Sequence, residues 1–311
     1  MKTLFILILS ALTLSFCHAQ PVRMELNLTK GKSYLLDLSS KTAMTQEVFG
    51  QKMAINMNMK NRISFLVKDI LDTCYDMEMK YESLQLESEN PMTDKIIFDS
   101  EKNDSQDMMS QLLGVIKQHP FQMKMDKQGK ISEVNGMEKL YDAMMQNLAN
   151  LPEAQKKQTI AQLSQSFGDE AIKSNLMQTS ASFPKEAVQV GDSWSSDASM
   201  NVIGMLMKMS ITYTYKGNEG NYWIVESKGT MTTEAGKDDY IEMNGMQMKQ
   251  EIQGTMALTM KVDQKTGWTM ESNGNMTMTG KMTIKDSPQL PGGMTIPINA
   301  TSEIIIIGKI N

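Results

Sequence analysis

Along most of this chain, apolar and polar residues alternate one for one. Val22, Met24, Leu26 and Leu28 alternate with Arg23, Glu25 and Asn27. After the turn residues Lys30-Gly31-Lys32, Tyr34, Leu36 and Leu38 resume the pattern, and Met53, Ile55, Met57 and Met59 continue it. A period of two is that of a β-strand with one buried face, so each stretch predicts a half-buried strand. Ile63–Val67 is a further strand candidate. Met77, Met79 and Tyr81 extend the series, which then slips one place to Leu84 and Leu86 and predicts a bulge near Ser83. In the second half, Met205, Met207, Met209, Ile211, Tyr213 and Tyr215 form an apolar face against Lys208, Ser210, Thr212 and Thr214. Met256, Leu258, Met260 and Val262 follow, then Met276, Met278, Met282 and Ile284. A last strand is expected near Ala300–Ile310, after a Pro- and Gly-rich loop at Ser287–Pro297.

The period changes in two places. Met108, Met109, Leu112, Leu113 and Ile116 lie three and four apart, which predicts a short amphipathic helix over Asp104–Lys117, ended by His119-Pro120. Gly136 to about Asn175 is the sustained helical region. Met137, Leu140, Tyr141, Met144, Met145, Leu148 and Leu151 form its stripe. Pro152 and Glu153 open a second helix, and Gly168-Asp169 precedes a third.

Several pieces occur twice, in the same order. Met123–Gly136 (MKMDKQGKISEVNG) and Met260–Gly274 (MKVDQKTGWTMESNG) each read as strand, Asp-opened and Gly-closed turn, strand. Leu28–Tyr34 matches Val188–Trp194, and Ile63–Lys68 matches Ile211–Lys216. A period of about 140 to 160 residues is a duplicated half rather than a solenoid repeat. The expected fold class is therefore α+β, mainly β. Duplicated antiparallel sheets would form a sandwich or incompletely closed barrel, with the mid-chain helical segment covering one side. The expected divisions are 1–19 as a signal peptide, 20–135 as a first β-rich half with a short helical insertion, 136–180 as a helical connector, and 181–311 as a second β-rich half.

The leader changes what composition means. Lys2, the apolar run Leu4–Phe16 and Cys17-His18-Ala19 predict a secretory signal cut after Ala19, with lipidation at Cys17 as the alternative. The product would be exported, to the periplasm or cell exterior, with outer-membrane association left open. The chain carries a net charge of −5, which gives no electrostatic reason to expect nucleic acid as partner. No later apolar run is long enough for an integral membrane span. Once Cys17 is gone, Cys74 is alone and predicts a buried structural thiol.

The 32 methionines in 311 residues are the unusual feature. Most sit on the apolar faces of strands. In one reading they replace Leu, Ile and Val as core. In a second, a pliable Met, Ile and Tyr face accommodates a lipid or another apolar small molecule, with Met57, Met125, Met207, Met209 and Tyr213 as the candidate ligand-binding residues. In a third, Met-x-Met pairs such as Met57–Met59, Met77–Met79 and Met246–Met248 hold Cu(I). On a strand those sulfurs point to the apolar face, so no metal residue is assigned.

Catalytic chemistry is hard to assemble from what remains. His119 is the one histidine after the leader, and a surface or capping role suits its place beside Pro120. Asp238-Asp239 reads as a solvated turn. No Gly-rich phosphate loop follows a strand. No cofactor and no catalytic residue is expected. Phe183-Pro184 through Gly191-Asp192-Ser193-Trp194, with the early KGKSY turn and the late VDQKTGW hairpin, resembles a family of exported Gram-negative bacterial proteins of unknown function. That resemblance implies no site residues. A looser analogy, at the level of fold, is to the periplasmic lipoprotein carriers. The expectation is a non-enzymatic envelope protein that binds a lipid or apolar ligand. A structural or interaction module with an envelope protein partner is the alternative, and Cu(I) binding the lesser one.

Overall fold

The computed structural model describes residues 20–91, 93–102, 107–177, 181–202, 205–233, 240–243, 246–288 and 290–311. The leader and Asp238-Asp239 lie outside them. The first half comprises β1 (Ser33–Val48), β2 (Gln51–Ile70), β3 (Cys74–Asn90), β4 (Thr93–Asp99), α1 (Met108–Gln118), β5 (Phe121–Asp126) and β6 (Ile131–Asn135). Three helices follow: α2 (Met137–Asn147), α3 (Glu153–Phe167) and α4 (Asp169–Met177). The rest is β7 (Ser193–Val202), β8 (Met205–Glu219), β9 (Tyr222–Thr233), β10 (Ile241–Met243), β11 (Met246–Asp263), β12 (Thr269–Ile284) and β13 (Met294–Ile310).

All the strands join one open antiparallel sheet, in the order β6-β5-β3-β2-β1-β13-β12-β11-β9-β8-β7, with β4 beside β3 and β10 beside β11. The first half contributes 6-5-3-2-1 and the second 12-11-9-8-7, so the same pairing order recurs on either side of β13. Matching details recur too. Gly31 donates to the Val67 carbonyl as Gly191 does to that of Tyr215, both at 2.8 Å. The ladder slips between Val67 and Asp69 in β2, and between Tyr215 and Gly217 in β8.

The sheet curls. Laid flat, its eleven-strand path would be about 48 Å wide at the usual strand spacing. Yet α4, nine residues and so about 14 Å long, packs on both edge strands, β6 and β7. The architecture is thus an incompletely closed barrel with α4 in the seam, where Ala171, Ile172 and Leu176 are buried. The expected antiparallel, helix-covered design holds, as one continuous sheet rather than two.

The core lies toward one end. Tyr34 and Leu36 on β1, Ile63, Phe65 and Val67 on β2, and Tyr75, Met77 and Met79 on β3 are buried. The bulge foreseen near Ser83 falls at Glu82, between the rungs Tyr81–Ile63 and Ser83–Arg62. The segment before β1 buries Met24, Leu26 and Leu28, as its alternation predicts, but pairs as a strand only at Val22–Val188. Its other backbone groups find irregular partners, because it crosses the base of the sheet instead of lying along a neighbour. Leu26 N donates to Lys127 O and Asn27 N to Thr266 O, each at 2.8 Å. Those acceptors lie in the two Asp-opened turns, so the twin hairpins grip one strap from both sides. Asp126 Oδ1 accepts from Gln128 N and Lys130 N, and Asp263 Oδ1 accepts from Lys265 N and Thr266 N, which builds both turns. The last strand starts earlier than the Pro-rich loop suggested, at Met294, with Pro297 beyond the last rung to β1 at Ile298.

The long strands run on past this core. At about 3.3 Å per residue, β2 reaches roughly 66 Å, far beyond the usual strand length. β1 and β2 join through Phe49-Gly50, whose φ angles are +50° and +75°. Two successive positive φ values make a type I′ turn, which favours Asn-Gly; a left-handed conformation costs a residue with a Cβ about 1–2 kcal/mol.

Candidate functional site

The inner face of the sheet can be read rung by rung. One row runs Ile55, Met44, Ala300, Met278, Gly254, Met231, Met209, Ala198 across eight adjacent strands. The row nearer the core includes Met57, Thr42, Ser302, Met276, Met256 and Gly229. Long thioether side chains thus stand beside small residues. A Cβ on Gly254 would lie 3.0 Å from Cγ of both Met231 and Met278, so the two methionines lean over the bare glycine. An unbranched side chain fills such gaps in several ways, which is the property methionine brings to this wall.

The wall is closed on one flank and half-open on the other. On β8, β9 and β11, Met207, Met209, Met231 and Met256 are buried. On β1, β2, β11, β12 and β13, Met44, Met57, Ile252, Met276, Met278 and Ile304 are only half-buried, with Ala300 and Ser302 of β13 buried between them. The helices sit elsewhere: α1 packs on β3 and β4, α3 on β7, and α4 on β6 and β7. Beyond the half-open stretch, Met248, Ile284, Ile296 and Ile298 form a second small apolar cluster, with Met44, Val48 and Leu290 against it. Two open pockets adjoin the wall. One of about 520 Å³ is lined by Ala198, Met209 and Met231 with Asp197, Lys208 and Thr230. The other, about 250 Å³, lies over β9, β11 and β12 beside Ile252 and Gly280.

Polar groups punctuate this surface. Thr42 Oγ1 and Ser302 Oγ share a 2.8 Å hydrogen bond on adjacent strands. Ser272 Oγ and Thr269 Oγ1, both buried, have no partner. Deeper in, burial pushes the Tyr213 phenol up to about 12 and raises Tyr75 and Tyr215, so all three remain neutral phenols near neutrality. On the outer face, hydrogen bonds from Arg62 foremost, and from Lys309, hold the Asp37 carboxyl below the usual range.

The structure separates the five candidate residues. Met207, Met209 and Tyr213 share the inner face of β8 and are buried. Met57 lies on the same sheet face, six strands away along the row, and is half-buried. Met125 belongs to the base of the core, opposite Tyr75. Met209 alone of the five lines a pocket described above. Met77 and Met79 are fully buried, whereas Met59 is 40% exposed. Cys74 is half-buried at the start of β3. His119 closes α1, its Nδ1 2.7 Å from the Val115 carbonyl. Among the described residues, no three His, Cys, Asp or Glu side chains gather as a metal site, and no helix is long and apolar enough to cross a membrane. Sequence reasoning passed over Phe49, although Gly50 between two alternating runs is the signal of a two-residue turn.

Comparison with known proteins adds a family and little else. No curated protein matches the chain. Among solved structures, a lipovitellin described for its lipid–protein interactions is 10% identical, with a TM-score of 0.47 over 92% of this chain and 26% of its own. The chain thus spans about a quarter of that protein. An outer membrane channel from Pseudomonas putida F1 is 7% identical, with a TM-score of 0.21 over 91% of this chain and 97% of its own. OmpF of Salmonella typhi in complex with daunomycin is 7% identical, with a TM-score of 0.19 over 92% of this chain and all of its own. Overlap at these levels carries no weight for function. The profile of a family of unknown function (DUF6263) matches residues 72–269, well over half of the sequence, and the chain belongs to that family.

Proposed function

We propose that the chain binds an apolar ligand, in the simplest case the acyl chain of a lipid, along the half-open part of its methionine wall. The role is one of binding rather than catalysis, and an exported envelope location suits it. The observation that carries this reading is the contrast along a single row: Gly229 on β9 and Met256 on β11 are buried, whereas Met276 on β12, Thr42 on β1 and Met57 on β2 are half-buried, with the small Ser302 of β13 buried between them. A soluble protein that only needed a core would end its strands where the core ends. Here β1 continues from Ser40 to Val48, about 30 Å of further wall, twice the roughly 15 Å of one bilayer leaflet's hydrocarbon. Each methylene buried there contributes about 0.8 kcal/mol. Interleaved Gly, Ala, Ser and Thr leave room, and methionine repacks around chains of different shape.

The test is a titration with a fluorescent fatty acid. The wild type is expected to bind saturably. Met276→Asp, which sets a charge on the half-open wall, lowers affinity at least about 10-fold, since an unpaired charge is strongly disfavoured against hydrocarbon. Thr277→Asp, one residue on and facing outward, leaves it unchanged. Absent saturable binding, or with equal affinity in both variants, the wall is simply core and the structural reading replaces this one.

A further inference from the structure

The half-open wall carries no charge. Along this stretch the ionisable side chains take outward positions: Lys41 and Glu47 on β1, Lys60 on β2, Glu251 on β11, Lys281 on β12 and Glu303 on β13. The inner side of these strands is only half-buried, so a Lys or Arg there would keep part of its hydration, and burial alone does not exclude one. Methionines stand there instead, with two hydroxyls among them. Thr42 and Ser302 face each other on one rung of β1 and β13, flanked by Met57 and Met276. Their oxygens lie 2.8 Å apart. Among the described residues neither hydroxyl has another side-chain partner. One donates to the other, which leaves one proton of the pair, and lone pairs on both oxygens, for a further bond.

Both ends of the stretch are apolar. Toward the core Leu36, Ile63 and Ile306 are buried, and toward the far rim Met248, Ile284, Ile296 and Ile298 are. A carboxylate or phosphate lying on this wall would meet no cation and no polar exit at either end, and an unpaired charge against hydrocarbon is strongly disfavoured. We propose, resting on the wall reading above, that the ligand is a neutral lipid whose uncharged ester or hydroxyl end is held by Thr42 and Ser302. An ester carbonyl accepts the free proton of the pair, and an alcohol also donates to its lone pairs. The chain then runs toward the second apolar cluster. From Ser302 to Ile296, β13 covers about 20 Å, enough for the roughly 15 Å of acyl chain in one bilayer leaflet.

The test is displacement of the fluorescent fatty acid from the full chain by three soluble ligands with one tail: monodecanoylglycerol, decanoate and decyltrimethylammonium. Each is titrated against wild type, Thr42→Val and Thr301→Val. Valine keeps the shape and strand preference of threonine and removes the hydroxyl. One lost hydrogen bond is a roughly 3- to 10-fold loss in affinity. Thr42→Val is therefore expected to weaken monodecanoylglycerol by that factor and to leave both ions unchanged, since their heads stay in water. Thr301→Val, which loses an outward hydroxyl on the neighbouring position, changes none of the three. A Thr42→Val variant that binds monodecanoylglycerol as wild type does, or weakens all three ligands alike, overturns the proposal, as does decanoate binding to wild type more tightly than monodecanoylglycerol. The wall reading survives each of those results, because it rests on saturable fatty-acid binding and its loss in Met276→Asp. Wild type that binds neither the fatty acid nor any of the three ligands overturns both.

Discussion

The grip of the two turns on the strap at residues 22–28 can be tested with one methyl group. Gly267 has φ +69°, and a Cβ there would lie 2.3 Å from Glu25 O and 2.9 Å from Leu26 Cα, both backbone atoms. No rotamer relieves such a contact, so Gly267→Ala forces the strap away from the turn. The left-handed conformation costs alanine about 1 kcal/mol. Displacing the strap strains the bonds from Asn27 N to Thr266 O and Leu26 N to Lys127 O, worth about 1 kcal/mol each. The sum is about 3 kcal/mol, before any loss of burial at Met24 and Leu26. Gly31→Ala is the control: its φ is +80°, but nothing lies within 4 Å of the added methyl, so about 1 kcal/mol is expected. Urea unfolding followed by tryptophan emission reads both, with Trp268 beside the substituted turn. A gap of about 2 kcal/mol supports the close approach, and equal losses in the two variants would refute it.

Three further outcomes follow from polar groups. Tyr75 Oη donates to Leu26 O at 2.8 Å and accepts from Leu28 N at 3.2 Å, so Tyr75→Phe strands two strap groups and costs about 1–3 kcal/mol in urea unfolding. Burial raises the Tyr213 phenol to about 12, so its contribution to stability is whole below the unfolded value near 10 and lost as pH rises toward 12; alkaline unfolding of Tyr213→Phe is expected to be less steep. Asp37 is depressed chiefly by its Arg62 hydrogen bonds, so its contribution is present above about pH 4 and lost as pH falls through the lowered value. With these side chains partly exposed it amounts to about 0.5–1 kcal/mol, and Asp37→Asn flattens the acid limb by that much.

The strands were legible because a period of two is a local signal, and so was the face each side chain takes. Even the bulge at Glu82 showed as a one-place slip of that period. Which strand neighbours which was not local. Nothing in Ala300–Ile310 says that this strand lies between β1 and β12, so one continuous sheet could not be told from two. The twin turns were visible from their Asp and Gly, but their common hold on the strap joins Asn27 to Lys265, 238 residues apart. The candidate site divides in the same way. Alternation assigned Met57 and Met77 to apolar faces equally well, yet Met77 is wholly buried and Met57 half-buried, because burial depends on how far the strand outruns its core. Met125 shares the same alternation, yet it sits opposite Tyr75 in the base of the core, away from the wall.

The central claim is that the half-open wall holds an apolar ligand, and a native mass spectrum of the full chain, purified from its own source without detergent, tests it most directly. The account predicts added mass matching a lipid, lost on mild activation and absent from Met276→Asp prepared in the same way. A bare polypeptide mass that stays unchanged after incubation with lipid would contradict it and return the methionines to the core.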